Sequence, residues 1–196
     1  MSLAPQPRVL VIHGPNLNLL GEREPAIYGS VTLPQLDASL HALAGELGVS
    51  LTTKQSNSEG TIIDWIQDAR RRPHDQHDPH DRQHGRQHDQ PAQPSPQAQG
   101  GLIINPGGYT HTSVAIHDAL RAVSIPVVEV HLSNIVGRET FRQVSVTGVA
   151  CAGVIMGLGP ASYLLALRYL ASLLLASPLL APAQEQAPTP GKPPTH

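Results

Sequence analysis

The sequence predicts an α/β fold: a doubly wound, five-stranded parallel sheet with helices on both faces. Two observations predict it, and a third bounds what it can bind. Short apolar runs rich in β-branched residues alternate with longer segments of helical periodicity, as in βα units whose strands lie parallel. Polar clusters follow these strands, at His13–Asn18, Gln55–Glu59, Asn105–Thr112 and His131–Asn134. Ligands of open parallel sheets bind beyond the carboxyl ends of the strands, so four such clusters imply one cleft. Finally, the charge of the chain is balanced once a single low-complexity tract is set aside.

The elements follow in order. Arg8–His13 is an apolar run ending in Gly14-Pro15, a buried strand entering a loop. Leu33, Leu36, Leu40, Leu43 and Leu47 recur at helical spacing, with Thr32 as N-cap and Gly48 past the end. Val49–Gln55 reads as the second strand. Ser58–Arg72 reads as a helix with Ile62, Ile63 and Ile66 on one face, capped by Ser58 or Asn57, and with three arginines complementing its C-terminal dipole. Gly101–Asn105 is a third strand, Thr112–Val123 a helix, Ile125–His131 a fourth strand and Gly153–Gly157 a fifth. Pro160–Ala176 is a final, strongly apolar helix. Trp65 and Phe141 read as core residues.

Five of the 11 histidines lie in Pro73–Gln99, with seven Gln, five Pro and four Asp. Ala92 and Ala98 are the only apolar side chains there, too few to offset the entropy of ordering, so the tract is expected to be disordered. It holds two Arg and four Asp of the 13 basic and 15 acidic residues, leaving 11 of each. Residues 1–72 and 101–176 are thus expected to form one domain, with a disordered insert between them and a disordered Pro-rich tail over 177–196. A neutral domain has no electrostatic footprint for nucleic acid. A single cysteine, Cys151, excludes an internal disulfide framework or a Cys-rich zinc module and reads as a buried, inert thiol. The N-terminus lacks an apolar signal core, and Leu170–Ala183 is too short to span a bilayer and holds Pro178 and Pro182. A soluble, cytoplasmic protein without membrane or nucleic-acid partners is expected.

Several groupings carry chemistry. Arg23 and Tyr28 stand five residues apart near the end of the first loop. A tyrosine with pKa ~10 is a poor base at neutral pH. A neighbouring guanidinium favours the phenolate and makes the pair a general base on a glycine-hinged loop. Asn105-Pro-Gly-Gly-Tyr-Thr-His-Thr-Ser113 offers an amide, close backbone approach and a helix start, suited to a polyhydroxylated or carboxylate ligand. Its bland reading is a turn and a cap, with Thr112 or Thr110 serving only as that cap. In the fourth strand Glu129 and His131 point to one face. A carboxylate beside an imidazole fixes its tautomer and favours its protonated form, the setting of a general acid. Arg138 and Arg142 follow at helical spacing, able to grip a carboxylate bidentately. The turn Gly157-Leu-Gly159-Pro-Ala-Ser162 lacks the third glycine of a dinucleotide site. Lysine is confined to Lys54 and Lys192, so Schiff-base chemistry would depend on Lys54. The tract's histidines have no ordered setting for a designed metal site.

Together the motifs resemble those of the type II 3-dehydroquinate dehydratases, over roughly residues 8–72 and 101–171. They are Gly14-Pro-Asn-Leu-Asn-Leu-Leu-Gly21, Arg23-Glu-Pro25, Ile27-Tyr-Gly29, Gln55-Ser-Asn-Ser-Glu-Gly60, the Asn105–Ser113 segment, Glu129-Val-His-Leu-Ser-Asn134, and Gly157-Leu-Gly159 through Tyr163-Leu-Leu-Ala-Leu-Arg168. The resemblance implies a flavodoxin-like fold and a cofactor-free, metal-free hydro-lyase. It implies anti elimination of water from 3-dehydroquinate to 3-dehydroshikimate through an enolate, in shikimate or quinate metabolism. Tyr28 would be the base, with Arg23 favouring its phenolate. Asn16 would hold the water that stabilises the enolate. His131, oriented by Glu129, would protonate the leaving hydroxyl. Asn105, His111, Asp118, Leu132, Ser133 and Arg142 would bind substrate, and Arg138 matches a further arginine. A homododecamer is implied.

The sequence departs from the family pattern at His13 (typically Asn), Val136-Gly137 (His-Ala), His117 (Arg), Gln143–Val149 and the Pro73–Gln99 insert. None of these removes a proposed catalytic residue; the 136–149 changes bear on the oligomer. The alternatives are a non-catalytic relative that binds a small carboxylate or a partner protein, and a metal sensor built on the histidine tract.

Overall fold

The computed structural model describes residues 6–22, 31–69 and 100–175. Arg23, Tyr28, the insert Pro73–Gln99 and the tail Ser177–His196 lie outside the described residues. Five parallel strands form one sheet: β1 (Arg8–His13), β2 (Ser50–Gln55), β3 (Gly100–Asn105), β4 (Val127–His131) and β5 (Gly153–Met156). Their order is β2-β1-β3-β4-β5. The order reverses at β1, so the crevice beyond its carboxyl end is the place where such a sheet binds its ligand.

Alternation along the strands divides the core into two layers. Val9, Val11, Ile103, Val128 and Val130 face α1 (Leu33–Leu47) and α4 (Ala161–Leu174), packing on Leu36, Leu40, Tyr163, Leu167 and Leu170. Ile12, Leu102, Ile104 and Val127 face α2 (Glu59–Ala69) and α3 (Val114–Arg121), packing on Ile62, Ile66, Ile116 and Leu120. Each fully buried aliphatic side chain contributes on the order of 1.5–3 kcal/mol. The parity continues past the apolar residues. His13 and Asn105 share the α1/α4 side with Val11 and Ile103, whereas Glu129 and His131 share the α2/α3 side with Val127.

Element boundaries differ from the sequence expectation for local reasons. Thr32 and Gln35 close α1 with a reciprocal capping box, an arrangement whose loss costs about 1 kcal/mol. At the other end Gly48 takes a left-handed φ of 72° and the Val49 N–H returns to the Ala44 carbonyl, so β2 begins at Ser50 rather than Val49. Pro126 has no N–H for the ladder, and β4 begins after it. Ser113 caps α3 by accepting from the Ile116 N–H at 2.8 Å, in place of Thr112 or Thr110. Between β4 and β5 the chain runs through three 3-10 turns, at Ile135–Gly137, Thr140–Arg142 and Gly148–Ala150. Such three-residue turns have no apolar face, and Phe141, expected in the core, is 69% exposed with the Arg142 guanidinium 5.0 Å from its ring.

The described residues on either side of the insert meet. The carbonyl oxygen of Ala69, the last residue of α2, lies 3.9 Å from where a Cβ on Gly100 would stand. The junction is at the amino-terminal edge of β3, opposite the edge that bears the polar clusters.

Candidate active site

The polar ends of β1, β3 and β4 surround a cavity of about 260 Å³, lined by Pro15, Asn16, Leu17, Leu19, Leu20, Asn105, Gly107, Gly108, His111, His131, Leu132, Ser133, Ile135, Arg138, Glu139 and Arg142. That is below the range of drug-sized ligand pockets and suits a small metabolite. Of the expected site residues, the fold brings Asn16, Asn105, His111, His131, Leu132, Ser133, Arg138 and Arg142 to this wall. Glu129 lies directly behind it. Asp118 does not join them: its side chain is 72% exposed on α3 and pairs with His117 Nδ1 at 3.0 Å. Lys54 is also elsewhere, its ammonium 5.1 Å from the Trp65 ring centroid.

The first loop is held from two sides. Its start at Gly14 presses against β3, where an added Cβ would stand 2.7 Å from the Asn105 carbonyl oxygen. Asn16 has a left-handed φ of 66°, and its N–H donates to Asn57 Oδ1 at 2.9 Å. Gln55 Nε2 donates to the Gly14 carbonyl at 3.2 Å and to Asn57 Oδ1 at 3.0 Å, and the Tyr109 hydroxyl donates to the Asn57 carbonyl at 2.9 Å. The Gln55–Glu59 cluster therefore acts on the site by fixing the loop that presents Asn16.

Glu129 is fully buried and its carboxylate accepts at every side. His131 Nε2 lies 2.7 Å from Oε1. Thr110 Oγ1 and Ser145 Oγ each donate to Oε1 at 2.8 Å, and Thr147 Oγ1 donates to Oε2. Ser145 Oγ in turn accepts from the Gly148 N–H at 2.7 Å. Burial alone would raise the Glu129 pKa, but the hydrogen bond and charge of His131 and the Thr147 and Ser145 hydroxyls outweigh it, and the value falls below the ordinary 4.5. An ionised carboxylate only accepts, so His131 Nε2 carries a hydrogen and Nδ1 is the nitrogen left for a ligand. Gly148 is required here: a Cβ would stand 2.8 Å from Ser145 Oγ and 3.3 Å from Glu129 Oε1.

The depressed value has a stability consequence with a definite sign. The unfolded carboxyl binds protons near pH 4.5, whereas the folded one does so lower. Glu129 therefore contributes fully above about pH 4.5, and the contribution is lost as pH falls through the folded-state value. Glu129→Gln is expected to flatten the acid limb of the unfolding free energy below that pH. An acid limb identical to that of the parent protein would refute this account.

Thr110, Ser145 and Thr147 are functional residues that sequence reasoning missed. The signal available was the three hydroxyls themselves, two of them in the Gln143–Val149 segment that departs from the family pattern.

The remaining wall is cationic. Arg138 and Arg142 reach Glu139 Oε2 from opposite sides, both at 3.3 Å through Nε. The hydrogen bond from its own backbone N–H, and then these two guanidinium groups, hold the Glu139 carboxyl below the usual range. Among the described residues Arg142 Nε makes no well-aligned hydrogen bond, its approach to Glu139 Oε2 being an ion-pair contact only, and it can take an anionic ligand. His111 Nδ1 lies 2.8 Å from the Val144 carbonyl, which can only accept, so Nδ1 carries the hydrogen and Nε2 is the nitrogen left for a ligand. Cys151 Sγ contacts the Thr147 carbonyl at 3.6 Å; burial and then the Glu129 charge push the thiol up to about 12, which makes it inert.

The Dehydroquinase class II family model matches residues 7–77 and 89–171. The chain is 50% identical over 164 residues to the 3-dehydroquinate dehydratase of Bordetella pertussis, covering 84% of this chain and 96% of that protein. It is 46% identical over 165 residues to the 3-dehydroquinate dehydratase of Rhizobium johnstonii, with the same two coverages. Among solved structures, the type II dehydroquinase from Propionibacterium acnes superposes with a TM-score of 0.70 at 36% identity, over 87% of this chain and 99% of that one.

Proposed function

This chain belongs to the class II dehydroquinase family, and from that premise we propose that it is a 3-dehydroquinate dehydratase whose acid is His131 and whose base is Tyr28. The single observation that carries this reading is the Glu129–His131 pair at the cavity wall, with a carboxylate kept ionised by His131 and by the Thr147 and Ser145 hydroxyls, and an imidazole whose Nδ1 is left for a ligand. In the forward direction Tyr28, as phenolate, removes a proton from C2 of 3-dehydroquinate. The resulting enolate is stabilised by a water held at Asn16. The imidazolium of His131 then gives its Nδ1 proton to the C1 hydroxyl, which leaves as water while the C1–C2 double bond forms. Arg142 and Arg138 supply the positive charge that an anionic substrate needs, and Asn105, His111, Leu132 and Ser133 bind its polar groups. Leu19 and Leu20, shortly before Arg23 and Tyr28 in the chain, line the same cavity. No cofactor enters this sequence of steps.

Asp118 stands outside the cavity of its own chain, so as a substrate ligand it has to come from a neighbouring copy. That accords with a homo-oligomer, and a dodecamer is proposed on the family resemblance. Among the described residues no helix is long and apolar enough to cross a membrane; a cytoplasmic location is the corresponding proposal. The product is a conjugated enone, so purified protein given 3-dehydroquinate is expected to produce a rise in ultraviolet absorbance. No rise would sink the dehydratase reading and leave a binding protein for small carboxylates.

The insert is proposed to be dispensable. Closing or extending a loop whose ends already touch changes the chain entropy by only about a few times RT. Deleting 73–99 is expected to leave turnover and the thermal midpoint close to those of the full chain. A deletion variant that is folded but inactive would overturn this, as would chelator-sensitive activity that depends on the tract's histidines.

A further inference from the structure

Glu139 lines the cavity beside the two arginines, and the elimination steps do not use it. Among the described residues that line the cavity it is the only carboxylate. Its Oε2 lies 3.3 Å from Arg138 Nε and 3.3 Å from Arg142 Nε. One acidic oxygen thus meets both guanidinium groups on the wall that has to receive an anion. Local structure keeps the trio together. The Arg142 N–H donates to the Glu139 carbonyl at 2.7 Å, which closes a 3-10 turn between them. Gln143 Nε2 donates to the Arg138 carbonyl at 3.1 Å, and the Phe141 ring stands 5.0 Å from the Arg142 guanidinium. His131, when charged, has its own counter-ion in Glu129, at 2.7 Å.

The charge arithmetic gives this carboxylate a purpose. Two uncompensated guanidinium groups would present two positive charges. Coulomb attraction scales with the charge of the ligand, so such a wall would favour a dianion over a monoanion. 3-Dehydroquinate carries one carboxylate. With Glu139 ionised the trio presents one net positive charge, which matches it. The Glu139 backbone N–H and both guanidinium groups favour that ionised form. The contact with Arg142 is an ion pair without a well-aligned hydrogen bond, so the Nε donor remains for a ligand. Glu139 therefore compensates charge without using up the donor. The side chain is about half exposed and keeps much of its hydration. A group that repels the wrong ligand can set specificity as well as one that attracts the right ligand.

We propose that Glu139 is a specificity-determining residue of the dehydratase, which lowers the charge of the arginine wall from two to one and so discriminates against dianions in favour of a monocarboxylate. The repulsion that a ligand feels from Glu139 grows in proportion to the ligand's charge. Neutralising Glu139 therefore helps a dianion by the square of the factor by which it helps a monoanion. For a half-exposed unit charge the monoanion's gain is about threefold, and the dianion's is then about tenfold. The preference for 3-dehydroquinate rests on the dehydratase reading; the discrimination between anions does not.

The test has two arms, both on the full chain at constant ionic strength. In the first, sulfate and methanesulfonate, tetrahedral anions of charge two and one, are titrated into ¹⁵N-labelled protein. Binding is read from the Arg142 Nε–H signal, assigned by its loss in Arg142→Lys. Glu139→Gln keeps the shape of the side chain and is expected to tighten sulfate about tenfold and methanesulfonate about threefold. Glu139→Asp keeps the charge and is expected to keep the parental ratio of the two affinities. Glu46→Gln removes the same charge at an exposed position outside the cavity lining, and is expected to leave both affinities as they are. Equal gains for the two anions, no gain, or weaker binding in Glu139→Gln overturns the proposal, as does a gain of the same size in Glu46→Gln. The second arm is turnover. The inhibition constant of sulfate divided by KM for 3-dehydroquinate is expected to fall about threefold in Glu139→Gln. An unchanged ratio overturns the specificity role. An inactive wild-type protein condemns the dehydratase reading, and the titration arm then decides the charge discrimination alone.

Discussion

His131→Ala is expected to lower kcat for 3-dehydroquinate by about a hundred- to ten-thousandfold, the range that a positioned general acid supplies. Hydroxide is a poor leaving group, and the departing oxygen at C1 needs a proton as its bond breaks. The imidazole is set for this because its Nε2 side is fixed on Glu129 at 2.7 Å, which leaves Nδ1 on the side of the cavity. The loss should appear in kcat and kcat/KM alike, since the proton is transferred in the transition state rather than in binding. Absorbance kinetics on a variant with a parental melting profile would check it. Turnover within about threefold of wild type would mean that the acid is another group.

Tyr28→Phe should have an effect of similar size at the other end of the reaction. A phenyl ring keeps the shape and removes the oxygen proposed to accept the C2 proton. The pH profile offers a second handle. The base works as phenolate, so the rate should rise with pH until Tyr28 is ionised. An adjacent guanidinium favours ionisation, and Arg23→Ala should move that rise to higher pH. Persistent activity in Tyr28→Phe would reject the base assignment, and an unmoved profile in Arg23→Ala would reject the partner.

The fold was legible because its signals are local. Strand runs such as Arg8–His13 and the leucine spacing from Leu33 to Leu47 are short-range patterns, and each capping residue sits next to the element it ends. The pair proposed as acid and orienting carboxylate was legible for the same reason: Glu129 and His131 are two residues apart on one strand. What holds Glu129 was not. Thr110 comes from the loop after β3 and Ser145 and Thr147 from the connection between β4 and β5, and no spacing in a sequence announces that hydroxyls 16 to 19 residues away will meet one carboxylate. The buried hydrogen bond between His13 and Tyr163 is more distant still, spanning 150 positions. Arg138 and Arg142 were recognised, but their helical spacing was misleading, since the segment folds as separate 3-10 turns bridged by Glu139. Phe141 failed on the same segment. Asp118 is the residue whose expected role one chain does not explain.

The meeting of Ala69 and Gly100 gives the scaffold a practical property. Chemistry occupies one rim of the sheet, and this junction lies on the other, separated from the cavity by the length of β3, about 17–20 Å. A domain grafted between these residues would hang from two adjacent points and leave the catalytic rim its geometry. The junction is thus a docking port for a reporter or a tether, at which foreign sequence of almost any length can be carried by a working enzyme.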